Sequence, residues 1–506
     1  MDTGDVCDLQ LIRRRSGVGV ATFAVREAVV RVVALASGVI LARVLGPETF
    51  GLYAIAWFVV HLFSHFSDVG LGDALVRKPG DLTEHDLRTV LTLHLGLISL
   101  LIVAVYLFAP LIVRLYGLAP ENIWLIRAMT VPLLLASLRT VPAARLERDL
   151  RFPALASVDV LETLLFQSVA VALALLGAGV WSLALGAVVS SAGATITTYW
   201  LSPWRPCLGV SRRSISELLP IGVAFQLQCF VNLAKDNLSP TLAGLAFGAA
   251  ATGYLNWARG VARAPAIVAE GVSRVSFPTY ARVQNDSIRL GATVQEALRW
   301  SALLSFGPLG LLIALAPQVV DVVYTNRWLP ALPAIYLFAT EAFFATALAV
   351  LIPLLQATGH ASKSLGLSAF QALITWLVAV ILLAPDLGGP VGAPAVRAIV
   401  SPLGFLSIAV AYLAGTTANS VLALREARRL VSFDLGACVR EPLTAAAVGG
   451  LAAWLLAKAL EPGPPALALS AGAGALAYAG TLWVLNGRPS LGAAVEGVLR
   501  REEVWP

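Results

Sequence analysis

Long apolar runs separated by short polar connections dominate the chain. The stretch 41–78 shows the pattern: an apolar run follows the turn Gly46-Pro47 and ends in a basic connection that contains Arg77 and Lys78. A helix of about 20 apolar residues is long enough to cross the hydrocarbon core of a bilayer. The repetition of this pattern predicts an all-α polytopic membrane protein.

Fourteen such runs predict about fourteen transmembrane helices. Their predicted limits are 17–41, 50–71, 89–112, 122–141, 154–177, 179–201, 216–244, 249–275, 294–316, 331–357, 364–385, 391–414, 438–460 and 464–486. The stretch between 415 and 437 is the longest connection, and we interpret it as a basic, partly helical connector. The connections are too short to hold a folded soluble domain.

Composition and charge agree with this interpretation. The chain is 58% hydrophobic and 13% charged, whereas soluble domains carry about 25% charged residues. Cations favour alternate connections by roughly five to one, as the positive-inside rule predicts, so we expect both termini in the cytoplasm and an even number of helices. The net charge of +6 therefore reflects topology and does not indicate nucleic-acid binding.

A weak internal repeat relates two parts of the chain. Residues 46–56 align with residues 248–258 at an offset of 202, and both copies keep a pair of glycines five residues apart. Because six predicted helices separate the copies, both have the same orientation. Parallel repeats of this kind build transporters with a site between the repeats. We therefore predict two pseudo-symmetric six-helix lobes around a central cavity, 1–205 and 206–437, followed by two additional helices and a tail in 438–506.

Ionisable residues concentrate in predicted helices 1, 7 and 8. They are Arg26, Glu27 and Arg31 in helix 1, Lys235 and Asp236 in helix 7, and Asn256 (a polar neighbour), Arg259, Arg263 and Glu270 in helix 8. Charged groups in a membrane interior are costly and usually face a cavity or a partner. Cations predominate, which favours an anionic passenger such as a pyrophosphate-linked lipid head group.

The alternative is that these charges only stabilise helix packing. Glu27 and Arg31 are spaced for a salt bridge on one helical face, and Lys235 adjoins Asp236. For these two pairs the packing role is about as well supported as a role in transport. It is less well supported for Arg259 and Arg263, since like charges four residues apart repel each other.

Predicted helix 2 carries His61, His65 and Asp68 on one face. Two histidines four residues apart can bind zinc, but no HExxH motif is present, so packing or cavity lining is favoured and no metal is assigned. The four cysteines show neither a CxxC pair nor a disulfide framework. The chain also lacks a Walker A loop and a GxSxG motif, which argues against an ATP-driven pump, a cofactor and an enzyme.

Several segments resemble one family. They are LARVLGPETFGLYAIAWFVV and FSDVGLGDALVRK within 41–78, LERDLRF at 146–152, FGAAATGYLNWARGVARAP at 247–265, VSFPTYARVQND at 275–286 and LLQATGHASKS at 354–364. These resemble polysaccharide flippases of the Wzx and WzxC-like type, within the multidrug/oligosaccharidyl-lipid/polysaccharide exporter superfamily.

The resemblance implies a bacterial cytoplasmic-membrane protein that flips an undecaprenyl-pyrophosphate-linked oligosaccharide, or a related polysaccharide precursor, by alternating access. It implies that Arg26, Arg31, Lys235, Arg259 and Arg263 form a cationic cavity. The other polar residues named above are candidates for cavity lining or ion coupling. H⁺ or Na⁺ and a polysaccharide polymerase are the implied partners. A multidrug-type cation antiporter of the same superfamily remains an alternative, and a membrane glycan polymerase or acyltransferase is a weaker one.

Overall fold

A computed structural model describes residues 29–68, 71–78, 80–217, 235–383 and 403–486, together with residues 231 and 233. The regular secondary structure of the described residues is entirely helical, and they contain no strand. Ten helical segments within it are long and apolar enough to cross a membrane. Large apolar side chains such as Leu107 and Leu476 are exposed on these segments, as expected where lipid replaces water. The prediction of an all-α polytopic membrane protein is confirmed.

The chain divides into two compact units, Met1–Gly253 and Tyr254–Pro506. Each unit has its own buried apolar clusters. The predicted lobe boundaries after residues 205 and 437 stay a prediction.

Unit 1 is built from consecutive helices joined by short connections. They are α1 (29–44), α2 (Pro47–Asp68), α3 (Leu71–Arg77), α4 (Glu84–Leu115), α5 (Asn122–Ala128), α6 (Thr130–Arg148), α7 (Phe152–Leu175), α8 (Val180–Leu201) and α9 (212–217). Thr83 and Asp86 form a capping box that starts α4. Such a box satisfies backbone N–H groups that a helix terminus would otherwise leave unpaired.

The helix α10 (Gly244–Arg263) crosses the division between the units, and it bends at Gly248, where φ is 79°. Glycine tolerates this positive φ because it lacks a Cβ. Unit 2 continues with α11 (Ile267–Val283), α12 (Ser287–Gln318), α13 (Leu332–Ala357), α14 (Ala361–Leu383), α15 (Leu406–Leu430), α16 (Leu435–Ala459) and α17 (Pro464–Asn486). Asp286 and Asp434 cap α12 and α16 with their side chains.

Three predicted helix limits are wrong. The predicted helix 122–141 is divided into α5 and α6, and α6 continues to Arg148. The predicted helix 249–275 is interrupted by a 3₁₀ turn at Ala264–Ala266, because Pro265 cannot donate a backbone hydrogen bond. The predicted helix 391–414 ends too early, because α15 continues to Leu430 through most of the connector 415–437, which was predicted to be partly helical. All of 384–402, and 218–234 apart from residues 231 and 233, lie outside the described residues; two further predicted helices include these stretches.

Hydroxyl groups fasten α8 to α6. Ser191, Thr195 and Tyr199 lie on one face of α8 and donate to the carbonyls of Pro132, Leu135 and Leu138 at 3.1, 3.0 and 2.9 Å. Pro142 removes the N–H that would otherwise pair with the carbonyl of residue 138, so the Tyr199 hydroxyl satisfies that carbonyl. Interhelical hydrogen bonds of this kind stabilise membrane bundles modestly, by about 0.6 kcal/mol each, and they fix the rotation of α8.

Candidate functional site

Unit 1 contains an open cavity of about 480 Å³ between α1, α2, α6, α7 and α8. Its lining combines aromatic rings with polar and charged groups, among them Tyr53, Trp57, His61, Arg139, Glu162, Gln167, Ser190 and Ser191. A mixed lining with a few convergent polar groups is typical of ligand sites.

One face of α2 supplies the aromatic wall. Tyr53, Trp57 and His61 are spaced four residues apart, so their side chains lie above one another along the helix. The rings of Trp57 and His61 stack with centroids 3.8 Å apart, and Nδ1 of His61 donates to the carbonyl oxygen of Trp57 at 3.0 Å. These contacts fix the orientation of both rings toward the cavity.

Arg139 of α6 and Glu162 of α7 form a two-pronged ion pair in the cavity wall. The Arg139 guanidinium donates to the two carboxylate oxygens at 2.7 and 3.1 Å. Both side chains are largely buried, with 23% and 28% of their surface exposed. Pairing compensates the cost of placing each charge within a helical bundle, and the two hydrogen bonds hold α6 and α7 in register.

Uncharged hydrogen-bonding groups complete the lining. Ser190 and Ser191 of α8 lie beside the aromatic wall. The Oε1 atom of Gln167, on α7, is buried and has no hydrogen-bond partner within the described part of the chain. An unpaired buried acceptor is costly, so Gln167 offers a hydrogen-bonding position to a ligand with hydroxyl or N–H groups.

The predicted site residues of unit 1 are only partly brought into this cavity. His61 lines it, while α1 contributes Val30 and Ala34 rather than Arg31. Arg31, Lys235 and Asp236 are half-buried elsewhere in the unit. Arg26 and Glu27 lie outside the described residues.

Three further predicted residues have a described backbone only. His65 and Asp68 lie on α2, and Glu270 lies on α11. Their side chains are outside the described part of the structure. Their roles in cavity lining or coupling therefore stay predictions.

In unit 2, Arg259 is packed over an aromatic ring. Its guanidinium carbon lies 4.2 Å from the ring centroid of Tyr412, on α15, and its Nη1 lies 3.3 Å from the Tyr412 hydroxyl, to which it donates. A cation over an aromatic face gains about 0.5–2 kcal/mol. Asn256, on the same helix, is half-buried and Arg263 is exposed. The predicted face of α10 therefore places its two arginines in different surroundings.

A second cavity, of about 560 Å³, lies in unit 2 between α12, α13 and α16. Its lining is apolar apart from Tyr336 and Trp454 and includes no charged side chain. It offers no cation to an anionic head group. The unit 1 cavity is therefore the better candidate for a polar ligand.

The sequence analysis missed Arg139 and Glu162 as site residues. Arg139 lies two residues before the predicted helix end at 141, whereas α6 continues to Arg148 and so places Arg139 well inside a helix. The sequence did contain a signal for this pair, namely opposite charges on two consecutive predicted helices. No group of three His, Cys, Asp or Glu side chains in the described part of the chain is arranged to hold a metal ion.

Comparison with known proteins identifies the family to which this chain is similar. Residues 40–333 match the family described as polysaccharide biosynthesis protein. The chain is 22% identical to the lipopolysaccharide biosynthesis protein WzxC of Escherichia coli (strain K12) over 79% of each chain. It is 26% identical to the succinoglycan biosynthesis transport protein ExoT of Rhizobium meliloti (strain 1021), over 66% of this chain and 68% of ExoT.

The fold is also similar to that of a solved transporter. The inward closed conformation of the lipid II flippase MurJ superposes with a TM-score of 0.68, covering 92% of this chain and 98% of MurJ at 13% identity. At that identity the likeness establishes the fold alone. The family match extends over more than half of the sequence, and the chain therefore belongs to the polysaccharide biosynthesis protein family.

Proposed function

We propose that this protein flips an undecaprenyl-pyrophosphate-linked oligosaccharide, or a related polysaccharide precursor, across the bacterial cytoplasmic membrane. Translocation proceeds by alternating access, with both termini in the cytoplasm. It serves surface polysaccharide synthesis, in which a polysaccharide polymerase would use the flipped precursor. Family membership supports this proposal, and so does the naming of one relative as a transport protein.

The polar cavity of unit 1 is the structural observation that carries the proposal. Polar and charged groups inside an otherwise apolar membrane bundle mark substrate pathways. A sugar has apolar C–H faces, which suit the rings of Tyr53 and Trp57, and hydroxyl groups, which suit Gln167, Ser190 and Ser191. The cavity can therefore hold sugar rings while the lipid tail stays in the bilayer.

The predicted cations provide the contacts for the pyrophosphate. Guanidinium groups bind phosphate oxygens with two parallel hydrogen bonds, and Arg26, Arg31, Lys235, Arg259 and Arg263 are assigned this role. An ion gradient of H⁺ or Na⁺, rather than ATP, drives the cycle, since the sequence contains no Walker A loop. We assign no enzymatic activity.

Deletion of the gene tests the proposal directly. Lipid-linked oligosaccharide is expected to accumulate on the cytoplasmic face of the membrane, and surface polysaccharide is expected to disappear. Re-expression of the wild-type chain should reverse both effects. Normal surface polysaccharide without accumulation would contradict the proposal.

Charge reversal tests the cationic residues. Changing both Arg259 and Arg263 to Glu is expected to abolish export while folded protein persists in the membrane. Arg289→Glu is the control, because Arg289 is exposed and pairs locally with Asp286 at 3.2 Å. Unchanged export in the double variant would remove these two arginines from the mechanism.

A multidrug-type cation antiporter predicts a cavity dominated by acids. Glu162 is the only carboxylate among the described lining residues of the unit 1 cavity, and Arg139 neutralises it. Drug-susceptibility assays separate the two functions. The antiporter predicts increased susceptibility on deletion and intact surface polysaccharide.

A further inference from the structure

A cation without an acidic partner among the described residues lies on the membrane-facing side of unit 1. Arg127 belongs to α5, near the start of the candidate membrane span Asn122–Arg148, and it is half-buried. Residues 87–120 and 122–146 contain no Asp or Glu, and the intervening Glu121 is exposed and forms no ion pair with Arg127. Charged groups within a membrane usually have a partner. Arg127 therefore needs an anion that the described residues do not supply.

Two aromatic rings flank the Arg127 guanidinium. Its Cζ atom lies 5.2 Å from the ring centroid of Tyr106, on α4, and 5.1 Å from that of Trp124, one turn earlier on α5. A cation over an aromatic face is attracted by the electrons of the ring. Both rings are also accessible, with 42% of Tyr106 and 62% of Trp124 exposed. Because Tyr and Trp concentrate at the level of the lipid head groups, the rings indicate that Arg127 lies near this depth.

A proline in α4 provides a third contact that positions Arg127. Pro110 lies inside the helix and lacks the N–H that would otherwise pair with the carbonyl of residue 106. Nη2 of Arg127 donates to this carbonyl oxygen of Tyr106 at 3.1 Å. The bond and the two rings fix the guanidinium in place. Little side-chain entropy then remains to be lost when a ligand binds.

The guanidinium of Arg127 keeps donors that these contacts do not use. It carries five N–H groups, and the bond to Tyr106 uses one of them. Nε is buried and has no hydrogen-bond partner among the described residues, whereas Nη1 forms no hydrogen bond with them and is accessible. Phosphate oxygens accept short, charge-assisted hydrogen bonds from guanidinium groups. Nη1 therefore offers a phosphate a position on the surface of unit 1.

An apolar stripe on α4 continues along the membrane beside Tyr106. Its members are spaced three or four residues apart and are between 51% and 72% exposed, namely Leu100, Val103, Leu107 and Leu111. Residues with this spacing lie on one face of a helix. A membrane lipid places its phosphate at the interface and its acyl chains against such a stripe. The cation and the stripe therefore match the two parts of one lipid molecule, whereas a phosphate ion in solution would use the cation alone.

We infer that Arg127, held by Tyr106 and Trp124, binds the phosphate of an anionic phospholipid. The lipid lies in the leaflet at the end of α4 remote from Glu84, which is the outer leaflet if both termini are cytoplasmic. Arg114, an exposed cation in the last turn of α4, favours a head group with a net negative charge over a zwitterionic one. This binding does not depend on the proposed function.

The test uses the full chain, purified in detergent and titrated with phosphatidylglycerol or with phosphatidylcholine. Native mass spectrometry counts the lipids that stay bound, and thermal unfolding reports the stabilisation that each lipid provides. Arg127→Gln removes the proposed ligand of the phosphate. Arg114→Gln is the matched control, because it removes one positive charge from the same end of unit 1 and Arg114 contacts neither an aromatic ring nor an acid among the described residues.

A proline variant separates lipid binding from the structural role of Arg127. In Pro110→Ala, residue 110 regains the N–H that pairs with the carbonyl of Tyr106. Arg127→Gln then no longer leaves this carbonyl without a donor. In the Pro110→Ala background the Arg127→Gln variant should therefore fold and, without added lipid, melt close to its parent. Both backgrounds are titrated with the two lipids.

Wild type is expected to bind phosphatidylglycerol in preference to phosphatidylcholine. Arg127→Gln should weaken phosphatidylglycerol binding by about tenfold or more in both backgrounds, because a hydrogen bond to a charged group is lost, and Arg114→Gln should bind it much as wild type does. Full binding by Arg127→Gln in the Pro110→Ala background would overturn the inference. An equal loss in Arg114→Gln, or equal binding of the two lipids by wild type, would do the same.

Competition with undecaprenyl pyrophosphate distinguishes a membrane phospholipid from a transported lipid. At equal concentration it should not displace phosphatidylglycerol from the wild-type chain. Displacement that Arg127→Gln abolishes would assign the site to the transported lipid and overturn the phospholipid assignment. Translocation assays in proteoliposomes keep the proposed function separate: a chain that binds phosphatidylglycerol through Arg127 and translocates nothing contradicts the function alone, whereas one that translocates and binds none contradicts the site alone.

Discussion

The backbones of Gly51 and Ala249 touch where α2 crosses α10. A Cβ added at Gly51 would overlap the carbonyl oxygen of Ala249, and a Cβ added at Gly253 would overlap the carbonyl oxygen of Pro47. Pro47 and Gly51 align with Ala249 and Gly253 at the 202-residue offset of the internal repeat. The two contacts are therefore equivalent: each repeat glycine lies against a backbone carbonyl of the other segment.

This crossing predicts that neither Gly51 nor Gly253 accepts a larger side chain. Gly51→Leu is expected to force the helices apart and to cost about 1–3 kcal/mol, as other overpacked sites do. Thermal unfolding in detergent measures the change. Gly38→Ala on α1 is the control, because a Cβ there meets nothing within 4 Å; equal melting of the two variants would show that the crossing is not tightly packed.

A double-mutant cycle tests the ion pair between Arg139 and Glu162. Arg139→Gln alone leaves a partly buried carboxylate without its partner, and we expect a loss of roughly 1–3 kcal/mol, less than for a fully buried pair. The double variant with Glu162→Gln should recover part of this loss, since no charge is then unpaired. Melting temperatures of the four proteins give the coupling energy, and strictly additive effects would show that the pair contributes no coupling.

The contact between Arg259 and Tyr412 predicts that the ring matters more than the hydroxyl. Tyr412→Phe keeps the aromatic face and loses the bond at 3.3 Å, so export should change little. Tyr412→Leu removes the aromatic face that lies 4.2 Å from the guanidinium carbon, so the side chain loses this positioning contact and export should fall several-fold. Comparable export by the two variants, at equal amounts in the membrane, would mean that the ring does not position Arg259.

The connection between α3 and α4 predicts a dependence on alkaline pH. Burial by itself lowers the pKa of Lys78, but hydrogen bonds to Asp86 and Glu217, each at 2.8 Å, outweigh it and raise the pKa above the ordinary value of 10.5. A raised pKa in the folded state stabilises the fold fully below the unfolded pKa, and this stabilisation is lost as pH rises through the folded pKa. Lys78→Met should therefore lower the melting temperature by several degrees at neutral pH.

The difference in melting temperature between Lys78→Met and wild type should stay constant from pH 7 to about 9 and shrink only above pH 10.5. Melting curves across this range check it. Lys363→Met is a comparison for a lysine in a more exposed pair, with 44% of its side-chain surface accessible, and its effect should be smaller. A difference for Lys78→Met that already changes between pH 7 and 9 would assign the titration to another group.

The sequence by itself determined the class of protein and most helices. The length of each apolar run and the distribution of cations among the connections can be read along the chain without knowing which helices are neighbours. They therefore predicted the helical membrane fold. The four-residue spacing of Trp57 and His61 is equally local, because residues four apart lie on one face of a helix. Helix ends were less predictable, because Pro265 and the basic end of α15 act through local backbone and interfacial effects that hydrophobicity does not measure.

Tertiary structure alone decided which polar groups meet. Arg139 and Glu162 pair because α6 and α7 are rotated toward each other, and that rotation is set partly by the hydroxyl groups of α8 on the carbonyls of α6. Thr416 of α15 donates to Glu341 of α13 and accepts from Gln371 of α14, because α14 and α15 approach closely at Gly415. Such relationships depend on distances between helices that are far apart in sequence, and a pattern along one chain contains no information on those distances.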